Sequence, residues 1–170
     1  ALRLRPVTAL LDAHPALAEH IDTVQPVVVL ARGAYDAAMA HVSASAVERG
    51  GLLVGEPFAH ASDERIAAVA IRLAVPGSEA TGDAISLRME ASVWQAARAA
   101  MHEGEHVVGW FHSHPGIGAF FSGTDRRTQA AFFAQPFSLG WVIDPLRGEH
   151  AWFVGAHAEV MVESRLLVTE

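Results

Sequence analysis

The 170-residue sequence contains neither cysteine nor lysine. Without a thiol there is no disulfide, no thiolate metal ligand and no cysteine nucleophile. All 12 basic residues other than histidine are arginine. A GC-rich coding sequence accounts for this, and the many alanines agree with it. The sharper alternative is that a chain acting on lysine conjugates escapes modification on its own side chains. Positive charge is sparse: the formal net charge is −7, and Arg126-Arg127 is the one basic pair that stands out. Nucleic-acid binding relies on dense positive charge, so nucleic-acid partners are disfavoured. Arg126-Arg127 reads as a solvated helix face, or as a pair that meets a substrate carboxylate. No apolar run is long enough to span a bilayer. Residues 1–30 lack the continuous apolar segment of a signal peptide. The expectation is a cytoplasmic protein with no membrane partner. Apolar residues are plentiful, at 51% of the chain, enough for a sizeable core in one domain.

Residues 1–25 read as an N-terminal extension, a short helix broken near Pro15, with Leu10, Leu11, Leu17 and Ile21 as its apolar positions. It is either an ordinary packing helix or an arm that binds a partner or covers a groove. The main domain is expected over residues 26–170. Strands are expected at Val27–Leu30, Leu52–Val54, Arg65–Val75, Ile85–Met89 and Leu139–Ile143, the fourth because apolar and polar residues alternate. Helices are expected over Tyr35–Val42, Ser92–Glu103, stopped by Gly104, and Asp125–Ala134. Ala151–Val154 and Glu159–Val162 suit paired strands. Intermixed strands and helices predict an α/β sandwich around one core. Trp94, Trp110, Trp141 and Trp152 are expected in the core or at its rim. Phe120 and Phe121 are core residues or a wall of a substrate channel. His102 and His106 are expected to be exposed.

The most informative stretch is His112-Ser113-His114-Pro115, followed after seven intervening residues, Pro115 to Phe121, by Ser122-Gly123-Thr124-Asp125. Val107 to Phe111 reads as a buried strand. Residues two apart on a strand share a side, so His112 and His114 can face one point. Gly116-Ile117-Gly118-Ala119 can fold the chain back, which brings Asp125 in from the start of the next helix. Two imidazoles and a carboxylate make a three-ligand zinc site whose fourth position is left for water, as in catalytic zinc centres. Ser122 and Asp125 also fit a helix-capping pair. A capped helix start would hold Asp125 toward the metal, so the two readings are compatible. No His-Glu-x-x-His occurs, which excludes a site with its base and ligands on one helix.

The motif resembles the JAMM motif of the MPN (JAB1/MPN/Mov34) zinc metalloprotease family. The likeness extends through Gly109-Trp110-Phe111, Thr128-Gln129 and Val142-Ile143-Asp144-Pro145 to deubiquitinase and deneddylase members, and covers roughly Val27 to Val168. It implies an MPN, cytidine-deaminase-like fold: a curved mixed β-sheet packed between helices, here in a bacterial member. It implies one Zn2+ per chain on His112, His114 and Asp125. It also implies a catalytic glutamate two residues before a glycine that opens an apolar strand. Spacing alone leaves Glu48 and Glu56 equal; the resemblance selects Glu48 as general base and gives Ser122 the role of oxyanion donor.

The function implied is an isopeptidase or peptidase that cleaves after the C-terminal glycine tail of a ubiquitin-like protein, the partner expected here, with a homo- or heterodimer also compatible. The tail would bind as an added strand beside about Ala74–Met89. The alternatives are a non-catalytic MPN interaction module and a zinc amidase acting on a small molecule or cell-wall peptide.

Overall fold

The computed structural model describes residues 2–22, 24–77 and 91–170. The strand expected over Ile85–Met89 lies outside the described residues. The N-terminal segment supplies β1 (Arg5–Pro6), α1 (Thr8–Ala13) and a 3-10 helix, Pro15–His20, with proline in its first turn. Next come β2 (Val27–Ala31), α2 (Arg32–Ser43), β3 (Gly50–Ala59) and β4 (Ile66–Pro76). After α3 (Ala91–Ala100), β5 (His106–Ser113) and α4 (Gly123–Phe132) lead to β6 (Leu139–Asp144). The chain ends with β7 (Glu149–Val154), β8 (Glu159–Val160) and β9 (Leu166–Thr169).

Among the described residues nine strands form one mixed, curled sheet in the order β8-β7-β6-β5-β3-β4-β2-β9, with β1 added to β3. β2 is Val-Val-Val-Leu-Ala and runs parallel to both its neighbours, β4 and β9. Its buried, unbroken apolar run is what a parallel strand covered on both faces requires. β3 is longer than its apolar centre suggested because Gly51 and Gly55 belong to it. A Cβ at either would run into a carbonyl oxygen of β4, that of Val75 or Ala70. These glycines are there for close strand approach, not for a turn.

Helices cover both faces. On one side α2 places Ala34, Ala38 and Val42, four residues apart, against Leu53, Val69, Ile71, Phe111 and Trp141. On the other, Val93 and Ala97 of α3 pack with Leu52, Val54, Trp110, Phe121, Phe133 and Val142. Leu10 and Leu17 of the N-terminal segment cover Val27, Val29, Phe58 and Ala68. This is the α/β arrangement expected, with local differences: α4 ends at Phe132 and not at Ala134, and β8 ends at Val160 and not at Val162. The third helix ends at Ala100, and Gly104, at φ +83°, shapes the turn after it. His106 is half-buried in β5, its ring 6.1 Å from that of Phe137, while His102 is exposed.

β5, α4 and β6 form a β-α-β unit, since β5 and β6 are parallel. The carboxyl end of β5 therefore opens onto the start of α4. Open α/β sheets place ligand sites at such ends.

Candidate metal centre

His112 is the penultimate residue of β5, and His114 follows the strand. The backbone N–H of His114 donates to the Ile143 carbonyl at 2.8 Å, so it is still held along β6. The seven-residue loop then reverses direction through Gly116 and Gly118, at φ +78° and +95°. These are left-handed conformations that only glycine adopts without strain. Ser122 caps α4: its Oγ accepts from the Asp125 N–H at 3.1 Å, and Asp125 Oδ2 accepts from the Ser122 N–H at 2.8 Å. This reciprocal pair fixes the Asp125 carboxylate at the first turn of α4.

The three side chains converge. His112 Nε2 lies 3.1 Å from Asp125 Oδ1, and His114 Nε2 lies 3.2 Å from Asp125 Oδ2. One ligand atom from each residue lies within 4.8 Å of the others. His112, His114 and Asp125 are only 1%, 3% and 4% exposed. Tetrahedral ligands at zinc distances of about 2.0–2.1 Å stand roughly 3.3 Å apart, which matches the imidazole–carboxylate spacings. Among the described residues, Nδ1 and Nε2 of His112 and Nδ1 of His114 have no hydrogen-bond partner. His112 Nε2 is thus close to the carboxylate without being in line for a hydrogen bond to it. Buried polar atoms are normally paired. A buried imidazole nitrogen that is close to a carboxylate yet out of line with it fits a metal ion better than a hydrogen bond, so the triad can hold a metal.

The charges agree. Burial pushes the Asp125 carboxyl up, but the two imidazoles and the Ser122 N–H outweigh it and hold the group far below the usual carboxylate range. Burial pushes His114 down, yet Asp125 and the charge of Glu48 raise it overall. The raised His114 favours its protonated form, so a metal ion would compete with that proton.

Around the triad, the Trp110 indole stacks on the His112 ring with centroids 4.3 Å apart and planes 8° from parallel. Trp110 Nε1–H donates to Gln129 Oε1 at 2.6 Å, and the Gln129 amide donates to the Ser138 and Gly155 carbonyls at 3.1 Å each. Gln129 lies one turn beyond Asp125 on α4, so it ties the ligand helix to the platform under His112. The two phenylalanines separate: Phe121 is buried in the core, while Phe120 is 46% exposed with its ring edge-on to His114 at 4.9 Å. Arg126 and Arg127 are exposed on α4. Arg126 donates to the His157 and Ala158 carbonyls, and Arg127 to Thr124 Oγ1.

The two glutamates part company. Gly50 lies opposite His112 in the β3–β5 ladder and Gly55 opposite His106. Glu48, two residues before β3, is at the metal end, half-buried, with its charge acting on His114. Glu56 is at the other end, in a two-pronged pair with Arg5 at 2.6 and 2.7 Å. Ser122 stands beside the triad as the cap of α4. Sequence reasoning assigned no role to Gln129 or Asp144. Each is a fully buried polar side chain, and its position inside the quoted likeness was the available signal.

The family described as prokaryotic homologs of the JAB domain (Prok-JAB) matches residues 31–162. COP9 signalosome complex subunit 5 of Eremothecium gossypii is 39% identical over 102 residues, 58% of this chain and 23% of that protein. NAD(+) hydrolase TcpA of a Theionarchaea archaeon is 32% identical over 110 residues, 64% of this chain and 31% of that protein. The Drosophila melanogaster 26S proteasome non-ATPase regulatory subunit 14 is 39% identical over 72 residues, 39% of this chain and 23% of that protein. The chain thus spans less than a third of the length of these relatives. The solution structure of protein DSY2949 from Desulfitobacterium hafniense shares the fold, with a TM-score of 0.57 and 20% identity, covering 84% of this chain and 93% of that one. Because the Prok-JAB match takes in most of the sequence, from the end of β2 to just beyond β8, the chain belongs to the prokaryotic homologues of the JAB domain, in the JAMM/MPN+ family.

Proposed function

We propose that this chain is a zinc-dependent peptidase or isopeptidase that cleaves after the small C-terminal tail of a ubiquitin-like protein, in the cytoplasm. The observation that carries the reading is the buried His112–His114–Asp125 triad with unpaired imidazole nitrogens. Nitrogen and carboxylate donors without a thiolate, three in number, suit a catalytic zinc with one open position. Bound there, zinc supplies Lewis acidity, lowering the pKa of water and polarising a carbonyl.

The chain's own residues do the rest. Glu48 accepts the proton of the attacking water and passes it to the leaving amine, a role worth about 10²–10⁴-fold. Ser122 Oγ already accepts the Asp125 N–H, which leaves its hydroxyl proton free to donate to the oxygen that gains charge. One such donor is worth roughly 10²–10³-fold. Gln129 and Trp110 hold α4 and the His112 ring in register. With no cysteine in the chain, hydrolysis proceeds without a thioester.

The substrate class rests on family membership and on the relatives' names, since two of them are subunits of the COP9 signalosome and the proteasome. The test is cleavage of host ubiquitin-like fusions by the zinc-loaded protein, with Gly or Leu at the penultimate position of the tail. The Gly tail should be cut, as a peptide or as a lysine isopeptide, and the Leu tail should resist. Equal cleavage of both tails would remove the narrow glycine channel and favour a small-molecule amidase. No cleavage by a zinc-loaded chain would favour a non-catalytic interaction module.

A further inference from the structure

Asp144 ends β6 and is fully buried. Its carboxylate accepts four backbone N–H groups from two separate turns. Two belong to the ligand-bearing loop: Gly116 N–H to Oδ1 at 2.9 Å and Gly118 N–H to Oδ2 at 2.8 Å. Two belong to the β6–β7 turn: Leu146 and Arg147 N–H to Oδ1 at 3.0 and 3.1 Å. The nearest cation, Arg147 Nε, is 3.7 Å from Oδ2, too far for a hydrogen bond, and its side chain is 55% exposed. A buried charge is costly unless it is fully hydrogen-bonded, and here the backbone supplies the bonds.

The geometry points to Asp144 as the positioning residue of the metal centre, a buried clamp that sets the loop between His114 and Ser122 and thereby the approach of the ligands to one another. This rests on the reading that His112, His114 and Asp125 hold zinc. Gly116 is two residues from His114, and the other end of the same loop runs into the Ser122 cap that orients Asp125. The residue before Asp144, Ile143, holds the His114 N–H. One strand end therefore grips the ligand segment twice, by a carbonyl and by a carboxylate. Gly116 and Gly118 have the left-handed φ values that turn their N–H groups inward to one acceptor, a backbone nest closed on a protein carboxylate. Without that acceptor the loop would bury an unpaired Gly118 donor or swing out.

A local turn requirement explains only half of these bonds, because serine or asparagine can cap a turn to the residues two and three ahead. Asp144→Ser separates the two roles. It keeps a short acceptor for Leu146 and Arg147 and is too short to reach Gly116 and Gly118. Asp144→Asn keeps the reach and turns an acceptor into a donor facing an N–H. Asp63 is the control: it accepts the Arg65 N–H at 2.9 Å in an exposed turn outside the site.

The measurement is zinc affinity by chelator competition, with the visible spectrum of the cobalt-substituted protein and circular dichroism on the same samples. Both Asp144 variants should keep the wild-type circular dichroism and bind zinc about 10–100-fold more weakly, the range seen when supports of ligands are removed. Their cobalt bands should shift or weaken. Asp63→Ser should change neither. Wild-type affinity and spectrum in a folded Asp144→Ser would overturn the clamp while leaving the zinc site standing. Should Asp144→Asn fail to fold, Asp144→Ser decides. Loss of fold in both would make Asp144 a fold determinant and overturn the positioning role. A wild-type chain that binds no zinc would overturn the zinc reading and this inference together.

Discussion

Replacing Gln129 with methionine should cost the protein several kcal/mol of stability, although the volume is nearly conserved. Gln129 is fully buried and satisfies three partners: the Trp110 indole N–H and the carbonyls of Ser138 and Gly155. Methionine fills the space and offers none of these bonds. A buried donor or acceptor left unpaired costs about 1–3 kcal/mol. Trp110 and Ser138 are fully enclosed and Gly155 partly so, which puts the loss at roughly 3–6 kcal/mol. For a chain of this size each kcal/mol moves Tm by about 2–4 °C, so a fall on the order of 10 °C is expected. Chemical denaturation followed by circular dichroism gives the free energy directly. Tryptophan fluorescence should change too, because the Trp110 ring loses the bond that sets its angle over His112. A loss below about 1 kcal/mol would refute the argument, since it would mean that water or a side-chain shift replaces the network.

The double variant His112→Ala, His114→Ala should abolish zinc binding in metal analysis, and retained stoichiometric zinc would reject the ligand set. Glu56→Gln should lose the Arg5 pair yet turn over substrate at near the wild-type rate, and loss of turnover would shift the base to Glu56. Asp144 sits at about pKa 2: burial raises it, and the Gly116, Gly118, Arg147 and Leu146 N–H groups lower it more. Its unfolded value is about 3.9, so its stabilisation is present above that pH and drains away as pH falls from about 4 to 2. Asp144→Asn should therefore show a flatter loss of stability over that window than wild type, and identical slopes would contradict the four-donor account.

The His112–His114–Asp125 cluster was legible because its determinants are local. The spacing of His112 and His114 follows from the two-residue period of β5, and Ser122 with Asp125 is a capping pattern that sequence carries by itself. The strand–loop–helix order needed no tertiary contact to be read. Gln129 and Asp144 are different, because a lone buried polar residue looks like a surface one until its partners, 19 and 28 residues away for Trp110 and Gly116, are in place. The extent of β3 was hidden for the opposite reason. Gly50, Gly51, Gly55 and Pro57 look like breakers, yet the strand uses its glycines where β4 and β5 press close. α3 ends before Gly104 because Arg72 takes the Ala100 carbonyl and pairs with Glu105, a long-range grip that helical periodicity does not encode. Glu48 was chosen by resemblance and not by spacing, and its charge reaches His114.

The most direct test of zinc hydrolysis by this chain is single-turnover cleavage of a glycine-tailed ubiquitin-like fusion by zinc-loaded wild type and Glu48→Gln, with zinc content measured on both. The account predicts equal zinc, about one per chain, and a rate at least roughly 10²-fold lower for Glu48→Gln. Equal rates at equal zinc would contradict it.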